Sequence, residues 1–316
     1  MGDESTVPPD MPDSKASGIG IRTIGGRQFW GDVVFFHGWR IQHNVITNHY
    51  RLLDPKDRRF ESGSREECEA ELTRKKEELK LPRMSGKAVI LIHGIGRSSK
   101  SFHGMAKALQ EDDYIVVGFD YPSTRVPIPK SADYLHDVLQ SLEGVETIDL
   151  VCHSMGGLVL RSYLSQHEEP RFRKAVMLGV PNKGAEIADT LKRNPLFKVI
   201  LGPAGQQLVT DKEGLIPQLP SPNFPFGVIA GGKAGERGFN PVLKGDNDTT
   251  VTVASTRLPG AADFILLPVI HSFLMNDARS VDATRRFFSE GRFLADREPQ
   301  PIPRDEVETE PQAAEP

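Results

Sequence analysis

Ile148-Asp149-Leu150-Val151-Cys152-His153-Ser154-Met155-Gly156-Gly157 runs a short apolar strand directly into a serine and, with no loop between, into the start of a helix. A serine at such a junction sits on a sharp turn that lifts its hydroxyl to the top of a sheet and aims the next backbone N–H groups at whatever lies above it. Gly156 and Gly157 allow the close backbone approach that this turn demands. The plain alternative is a strand–helix junction in which Ser154 only caps the helix, as serines commonly do.

Outward from this stretch, the chain from residue 87 alternates short continuous apolar runs with helical periodicity. The runs at 88–92, 115–119, 148–152, 175–178, 228–230 and 264–267 read as strands. Phe102, Met105, Ala106 and Leu109 mark one amphipathic helix between them, and Leu135, Val138, Leu139 and Leu142 mark another at i, i+3, i+4, i+7 spacing. Strands apolar along their whole length have both faces covered, so the prediction is an α/β fold with a doubly wound, mostly parallel sheet. Residues 18–86 form an N-terminal extension: runs at 32–36, 40–45 and 50–53 have strand composition and predict an antiparallel opening to a sheet. Ser64 and Glu67 form a capping-box signature for a helix to about residue 81, whose thin stripe of Cys68, Leu72 and Leu79 predicts a surface position. Residues 191–226 break the alternation with Pro and Gly and an apolar cluster of Leu196, Phe197, Val199, Ile200 and Leu201. An excursion leaving a strand's carboxyl end lies over the ligand site of a parallel sheet, so it reads either as a cap or as an insertion packed on the core. The main domain is expected over 87–296, with tails at 1–17 and 297–316 too polar and proline-rich to order themselves.

Composition narrows the class. With 316 residues, 38% hydrophobic and 26% charged, the chain has ordinary globular usage. A net charge of −4 with no sustained Lys/Arg block excludes nucleic acid as the principal partner, because phosphate neutralisation needs clustered positive charge. The triplet Arg74-Lys75-Lys76 is balanced by neighbouring glutamates and reads as a solvated helix face. No apolar run approaches the length of a membrane-spanning helix. The acidic N-terminus lacks the pattern of a secretory signal, so a cytoplasmic location is expected. Met1-Gly2 with Thr6 fits the loose myristoylation pattern but has no basic cluster beside it. Cys68 and Cys152 are too few for a disulfide framework.

The stretch around Ser154, together with Ile92-His93-Gly94-Ile95-Gly96 after the first buried strand, resembles the α/β-hydrolase superfamily, within it the lipase and carboxylesterase branch with a His-Gly loop. The resemblance covers about 87–293. It implies a doubly wound, mostly parallel sheet of the α/β-hydrolase type with Ser154 as nucleophile, and an oxyanion hole from the backbone N–H groups of Ile95 and Met155. Cys152 stands where the family's G-x-S-x-G elbow has its first glycine, and it reads as a structural thiol. In 245–255 both Asp246 and Asp248 are candidates for the acid. Asp248 is preferred because it matches the family's acid loop, with Val251 and Ser255 in register and Thr249 in place of glycine. His271, after the last apolar run and before a closing helix at about 281–288, takes the place of the base and completes the order Ser, Asp, His that this fold uses. Val180-Pro181-Asn182-Lys183-Gly184 resembles a family loop with histidine at the position of Asn182 and is expected to wall the site.

His153 neighbours the serine and should point away from it. His37, His43 and His49 recur at six-residue spacing, but no cysteine or carboxylate pattern accompanies them to make a metal site. No cofactor and no metal are expected. The implied activity is hydrolysis of carboxylic esters through an acyl-serine, with a small-molecule or lipid ester as substrate and an apolar insertion that suits an acyl chain. The same residues would serve an acyltransferase or amidase. A binding protein on a hydrolase scaffold is the non-enzymatic alternative.

Overall fold

The structure, a computed structural model, describes residues 21–22, 26–186, 188, 195–211 and 213–305, with only the backbone at 21–22 and 195–200. Its first part is antiparallel: β1 (Ile21–Arg22), β2 (Trp30–Phe36), β3 (Trp39–Asn44), β4 (Tyr50–Leu53) and β5 (Arg58–Gly63) lie in the order β1-β5-β4-β3-β2. These strands make the expected antiparallel N-terminal extension, as a sheet of their own beside the central one. Their tie to it is local: the Asp32 N–H donates to the Asp120 carbonyl (2.8 Å), and the Asp120 N–H donates to the Asp32 carboxylate (2.7 Å).

Helix α1 (Arg65–Glu78) starts at the expected capping box. Ser64 Oγ accepts the Glu67 N–H at 3.2 Å, and the Glu67 carboxylate accepts the Ser64 N–H at 2.7 Å, which satisfies two donors that the first turn would leave open. The helix is less solvated than its composition predicts. Cys68 and Leu72 are buried, and so is Lys75, whose ammonium reaches Glu78 (3.0 Å) and sits 5.2 Å from the centre of the Phe60 ring. A lysine stem covers apolar surface well once its head has a carboxylate partner.

The second part is wholly parallel. In chain order it comprises β6 (Gly86–Ile92), α2 (His103–Glu111), β7 (Ile115–Phe119), α3 (Ile128–Ser141), β8 (Val145–His153), α4 (Met155–Leu164), β9 (Phe172–Leu178), α5 (Pro195–Gln206), α6 (Leu215–Gln218), β10 (Phe226–Gly231), α7 (Val253–Thr256), β11 (Asp263–Leu267) and α8 (Ala278–Glu290). The strand order is β11-β10-β9-β8-β6-β7. Alternate residues of one strand feed opposite cores. Ala88, Ile90, Ile92, Leu150 and Cys152 join the core under α3 and α4, which also takes Val33, Trp39 and Ile41 of the antiparallel sheet. Val89, Leu91, Val151 and Val176 join the other, with Met105 and Leu109 of α2 and Phe287 of α8. Two covered faces explain why these strands read as unbroken apolar runs.

The chain leaves β6 toward β7 and returns across it to β8, so the order reverses at the β6–β8 pair. A crevice forms outside the carboxyl ends of the strands at such a reversal, and the loops after β6 and β8 carry His93–Ile95 and Ser154. Much of the 191–226 excursion lies within the described residues. It is anchored by Ala204, Leu208, Ile216 and Leu219, which join the α3–α4 core. α5 breaks at Gly202 (φ 61°, ψ −156°), where a Cβ would collide with the Thr124 carbonyl. The side chains of Leu196, Phe197, Val199 and Ile200, on which the apolar-cap expectation rested, lie outside the described residues.

The expected N-terminal tail, 1–17, also lies outside the described residues. At the other end, residues 297–305 depart from the expectation of a disordered tail. Ile302 is buried, its N–H donates to Ala261 O (2.9 Å) and its carbonyl accepts the Gly260 N–H (2.8 Å). One apolar side chain among prolines is enough to anchor the segment. Cys68 and Cys152 are both buried and unpaired. Among the described residues no helix is long and apolar enough to cross a membrane.

Candidate active site

Ser154 has φ 54° and ψ −128°, a conformation that L-residues adopt only where the surroundings enforce it. The enforcement is visible in its neighbours. A Cβ on Gly156 would collide with the Ile92 carbonyl, and one on Gly157 would come within 2.5 Å of Val180. On the other side, a Cβ on Gly94 would stand 2.9 Å from the Ser154 Cβ. The three glycines therefore let β6, β9 and α4 close around one serine. Although Ser154 precedes α4, its side chain makes no capping bond, so the simple capping alternative does not describe it.

The hydroxyl faces His271 instead. Ser154 Oγ and His271 Nε2 are 3.0 Å apart, and His271 Nδ1 lies 2.6 Å from Asp248 Oδ2. Because the carboxylate can only accept, Nδ1 carries the proton and Nε2 is left to accept from the hydroxyl. Asp248 is wholly buried, and its second oxygen accepts the N–H groups of Thr250 (3.0 Å) and Val251 (2.8 Å). Its carbonyl accepts the His271 N–H at 2.7 Å, so acid and imidazole are joined through both backbone and side chain. Such a row can pass a proton from hydroxyl to imidazole while the carboxylate stabilises the resulting cation. Asp246, the other candidate, is turned away: its oxygens accept the N–H groups of Lys233 (2.7 Å), Ala234 (2.8 Å) and Asn247 (2.9 Å) and close the loop after β10.

Ile95 and Met155, whose N–H groups the resemblance assigns to an oxyanion hole, lie in the loop after β6 and at the start of α4. Met155 is the first residue of α4, where a helix leaves its N–H groups without intrahelical acceptors. Ile95 lies in a loop fixed at Gly96, whose N–H donates to Ser123 Oγ at 3.0 Å. Behind the serine, Cys152 is fully buried between β6 and β9, and burial pushes its thiol well above its usual range, which makes it inert as a thiolate.

His153 points away from the hydroxyl. Its Nε2 donates to the His271 carbonyl (3.0 Å), while Nδ1 is buried with no hydrogen-bond partner. Burial first, and then the neighbouring His271, hold its pKa well below the ordinary 6.5.

Asn182 is buried and its amide donates to the Thr256 carbonyl (2.9 Å). It thus braces the loop after β9 against α7, and its amide is spent on the scaffold. His37, His43 and His49 go to separate partners: the Pro82 carbonyl, the Tyr134 and Asn48 side chains, and Thr47. Among the described residues no group of three or more His, Cys, Asp or Glu could hold a metal.

Three contributors escaped the sequence reading. A Cβ on Gly179 (φ 55°) would stand 3.0 Å from Asp248 Oδ2 and 3.1 Å from His271 Nδ1, and one on Gly231 would stand 2.7 Å from the Asp248 Cβ. Both glycines directly follow or end an apolar strand, which was the available signal. Arg161, buried on α4, donates to the carbonyls of Asn182 (3.0 Å), Ile216 (3.3 Å), Leu219 (2.5 Å) and Pro220 (3.0 Å), tying the loop after β9 to the later part of the excursion. Its partners are four backbone carbonyls and the Asn182 side-chain oxygen (3.4 Å), so no residue pattern announces them.

Comparison with known proteins agrees with this architecture. Over 110 residues the chain is 29% identical to the lysosomal thioesterase PPT2-B of Xenopus laevis, a match over 32% of this chain that spans only 38% of the thioesterase. The lipase BlEst2 of Bacillus licheniformis in its mature form superposes with a TM-score of 0.50 at 21% identity, covering 64% of this chain and 90% of the lipase. The propeptide form of the same lipase gives 0.50 and 21% over 68% of this chain and 52% of the other. A family described as a domain of unknown function (DUF7379) matches residues 57–216, half of the chain. The fold is that of the α/β-hydrolases, lipases and esterases among them, and the chain belongs to the DUF7379 family.

Proposed function

We propose that this protein is a serine hydrolase of carboxylic esters. The observation that carries the reading is the buried hydrogen-bonded row Asp248–His271–Ser154, with 2.6 Å and 3.0 Å between successive side chains. In this reading Ser154 Oγ attacks the ester carbonyl while His271 Nε2 takes its proton, and Asp248 stabilises the imidazolium. The N–H groups of Ile95 and Met155 receive the developing oxyanion, an interaction in which a lost donor typically costs about 2.7 to 4 kcal/mol. The imidazolium then protonates the departing alkoxide. Water, deprotonated by the same nitrogen, releases the acid from the acyl-serine. No step calls on a metal or cofactor.

The excursion supports an acyl substrate, since a Cβ on Gly205 would lie 3.6 Å from the Ile95 Cδ1, which sets the end of α5 against the proposed oxyanion loop. Similarity to a thioesterase favours including thioesters as a second substrate type, because the same acyl-serine forms from either leaving group. The test is a panel of chromogenic oxygen esters and thioesters of graded acyl length, run with wild type and Ser154→Ala. The reading expects turnover that falls by at least about 10³-fold in the variant. Equal turnover by both proteins would refute it, and transfer to added alcohol in place of acid release would redirect it to an acyltransferase.

A further inference from the structure

The loop from His93 to Ser98 carries the proposed oxyanion residue Ile95, and three side chains of the segment leaving β7 grip it. The Tyr121 hydroxyl donates to the His93 carbonyl at 2.6 Å, and its ring stacks on the His93 imidazole with 4.3 Å between centres. Ser123 Oγ accepts the Gly96 N–H at 3.0 Å, at the positive-φ turn (68°) that directly follows Ile95. Asp120 Oδ1 accepts the Ser99 N–H at 2.6 Å. The grips fall at every third residue and straddle Ile95. Tyr121 and Ser123 are each 2% exposed, so water does not compete for their bonds.

Asp120 is in turn held from the antiparallel sheet. Its second oxygen accepts from the Arg40 guanidinium at 2.9 Å, and its N–H donates to the Asp32 carboxylate at 2.7 Å. Arg40, on β3, reaches with its other terminal nitrogen to Asp57 in the turn between β4 and β5. Asp57 also takes the ammonium of Lys100, one residue past Ser99. The two parts of the fold therefore meet at Ser99 through Asp120 and at Lys100 through Asp57. Burial alone would raise the pKa of Asp120, but the Arg40 charge outweighs it and holds the carboxyl below its ordinary range. The acceptor is then ionised at neutral pH and its bonds are charge-assisted.

We propose that Asp120, Tyr121 and Ser123 are positioning residues for the oxyanion loop and that Arg40 anchors them from the antiparallel sheet, which gives the N-terminal extension a part in the reaction. The role rests on the ester-hydrolase reading above, whereas the anchoring itself does not. A donor stabilises an oxyanion without reorganisation only when it is in place before the charge develops, and a misplacement of about 1 Å can cost about 10²-fold in rate.

Steady-state ester kinetics of the full chain, beside inhibition by an alkyl trifluoromethyl ketone, separates positioning from folding. Ser154 Oγ adds to the ketone carbonyl and leaves an alkoxide where the oxyanion of the ester would lie, so the ketone reads transition-state binding. Tyr121→Phe and Ser123→Ala each remove one grip, and Arg40→Gln removes the anchor. The expected result in each is a fall in kcat of about tenfold, with KM changed by less than about twofold and an equal loss of affinity for the ketone. Arg40→Lys keeps the charge but not the fork that spans two carboxylates. It should recover part of kcat, and it serves if the glutamine variant fails to fold. Leu72→Ala thins the packing of α1 on the antiparallel sheet and should lower Tm while kcat and ketone affinity keep their wild-type values. Undiminished kcat and ketone affinity in the folded Tyr121, Ser123 and Arg40 variants, or losses that Leu72→Ala reproduces, would overturn the proposal.

Amide hydrogen exchange reads the anchoring without any substrate. Faster exchange over 94–99 in Arg40→Gln, with exchange in β8 unchanged, is the expected result, and unchanged exchange in that loop would overturn the anchoring. Ester turnover that survives Ser154→Ala would remove the hydrolase reading, and the catalytic role with it, while leaving the exchange result standing.

Discussion

Asp246 and Asp248 stand two residues apart, yet their carboxylates face different partners. Asp248 accepts from His271, while Asp246 accepts only backbone N–H groups of its own and the preceding loop. Asp248→Asn should therefore leave folding nearly intact and lower kcat by about 10⁴-fold, since an amide facing Nδ1 favours the wrong imidazole tautomer. Asp246→Asn should do the reverse, costing about 1–3 kcal/mol in stability by turning an amide N–H toward backbone donors. Steady-state kinetics beside denaturant titration of both variants checks the division. Sequence alone offered both residues. Register with a family pattern selected Asp248, and the structure places that carboxylate against the imidazole.

The elements of the site were legible to the extent that their residues face the core. Parallel strands covered on both sides appear as unbroken apolar runs, so β6 to β11 could be ordered and the corner at Ser154 located. Strand β5 could not: Arg58–Gly63 is Arg-Arg-Phe-Glu-Ser-Gly, half-exposed and charged, and its strand character comes from pairing with β4 and β1. Burial of Lys75 and Ile302 was hidden for a related reason, as each depends on a partner distant in sequence or on the opposite face of a helix. The corner itself makes a prediction at this scale. Gly156→Ala drives a methyl into the Ile92 carbonyl and should either destabilise the fold by about 1–3 kcal/mol or displace the loop before Ile95. Denaturant titration with parallel ester kinetics would register one or both, and an unaffected variant would contradict the packing described. Arg161→Met should loosen the excursion while sparing the central sheet, seen as faster amide exchange in 204–220 against unchanged exchange in β6 and β8.

For the whole molecule, two buried imidazoles set a limit on acid stability. Burial depresses the pKa of both His93 and His153 below the ordinary 6.5, so the folded protein keeps them neutral while the unfolded chain takes up protons as pH falls past that value. Protons bound by the unfolded state exceed those bound by the folded state in this range. Stability is then full above about pH 6.5 and falls below it, by up to about 1.4 kcal/mol per pH unit for each imidazole while it stays neutral in the folded state. His153→Gln keeps an amide donor for the His271 carbonyl and removes one titration, so its stability should fall less steeply as pH drops from about 6 to about 5. Chemical denaturation across that range measures the slopes, and parallel slopes for wild type and variant would contradict the assignment.

The claim on which the functional reading turns is that the hydroxyl of Ser154 is a nucleophile, activated by a histidine 117 positions further along the chain. Peptide mapping by mass spectrometry after treatment with a fluorophosphonate tests it most directly. One phosphonyl adduct on the peptide containing Ser154, abolished in His271→Ala, is the predicted result. An unlabelled Ser154 in folded wild-type protein would contradict it.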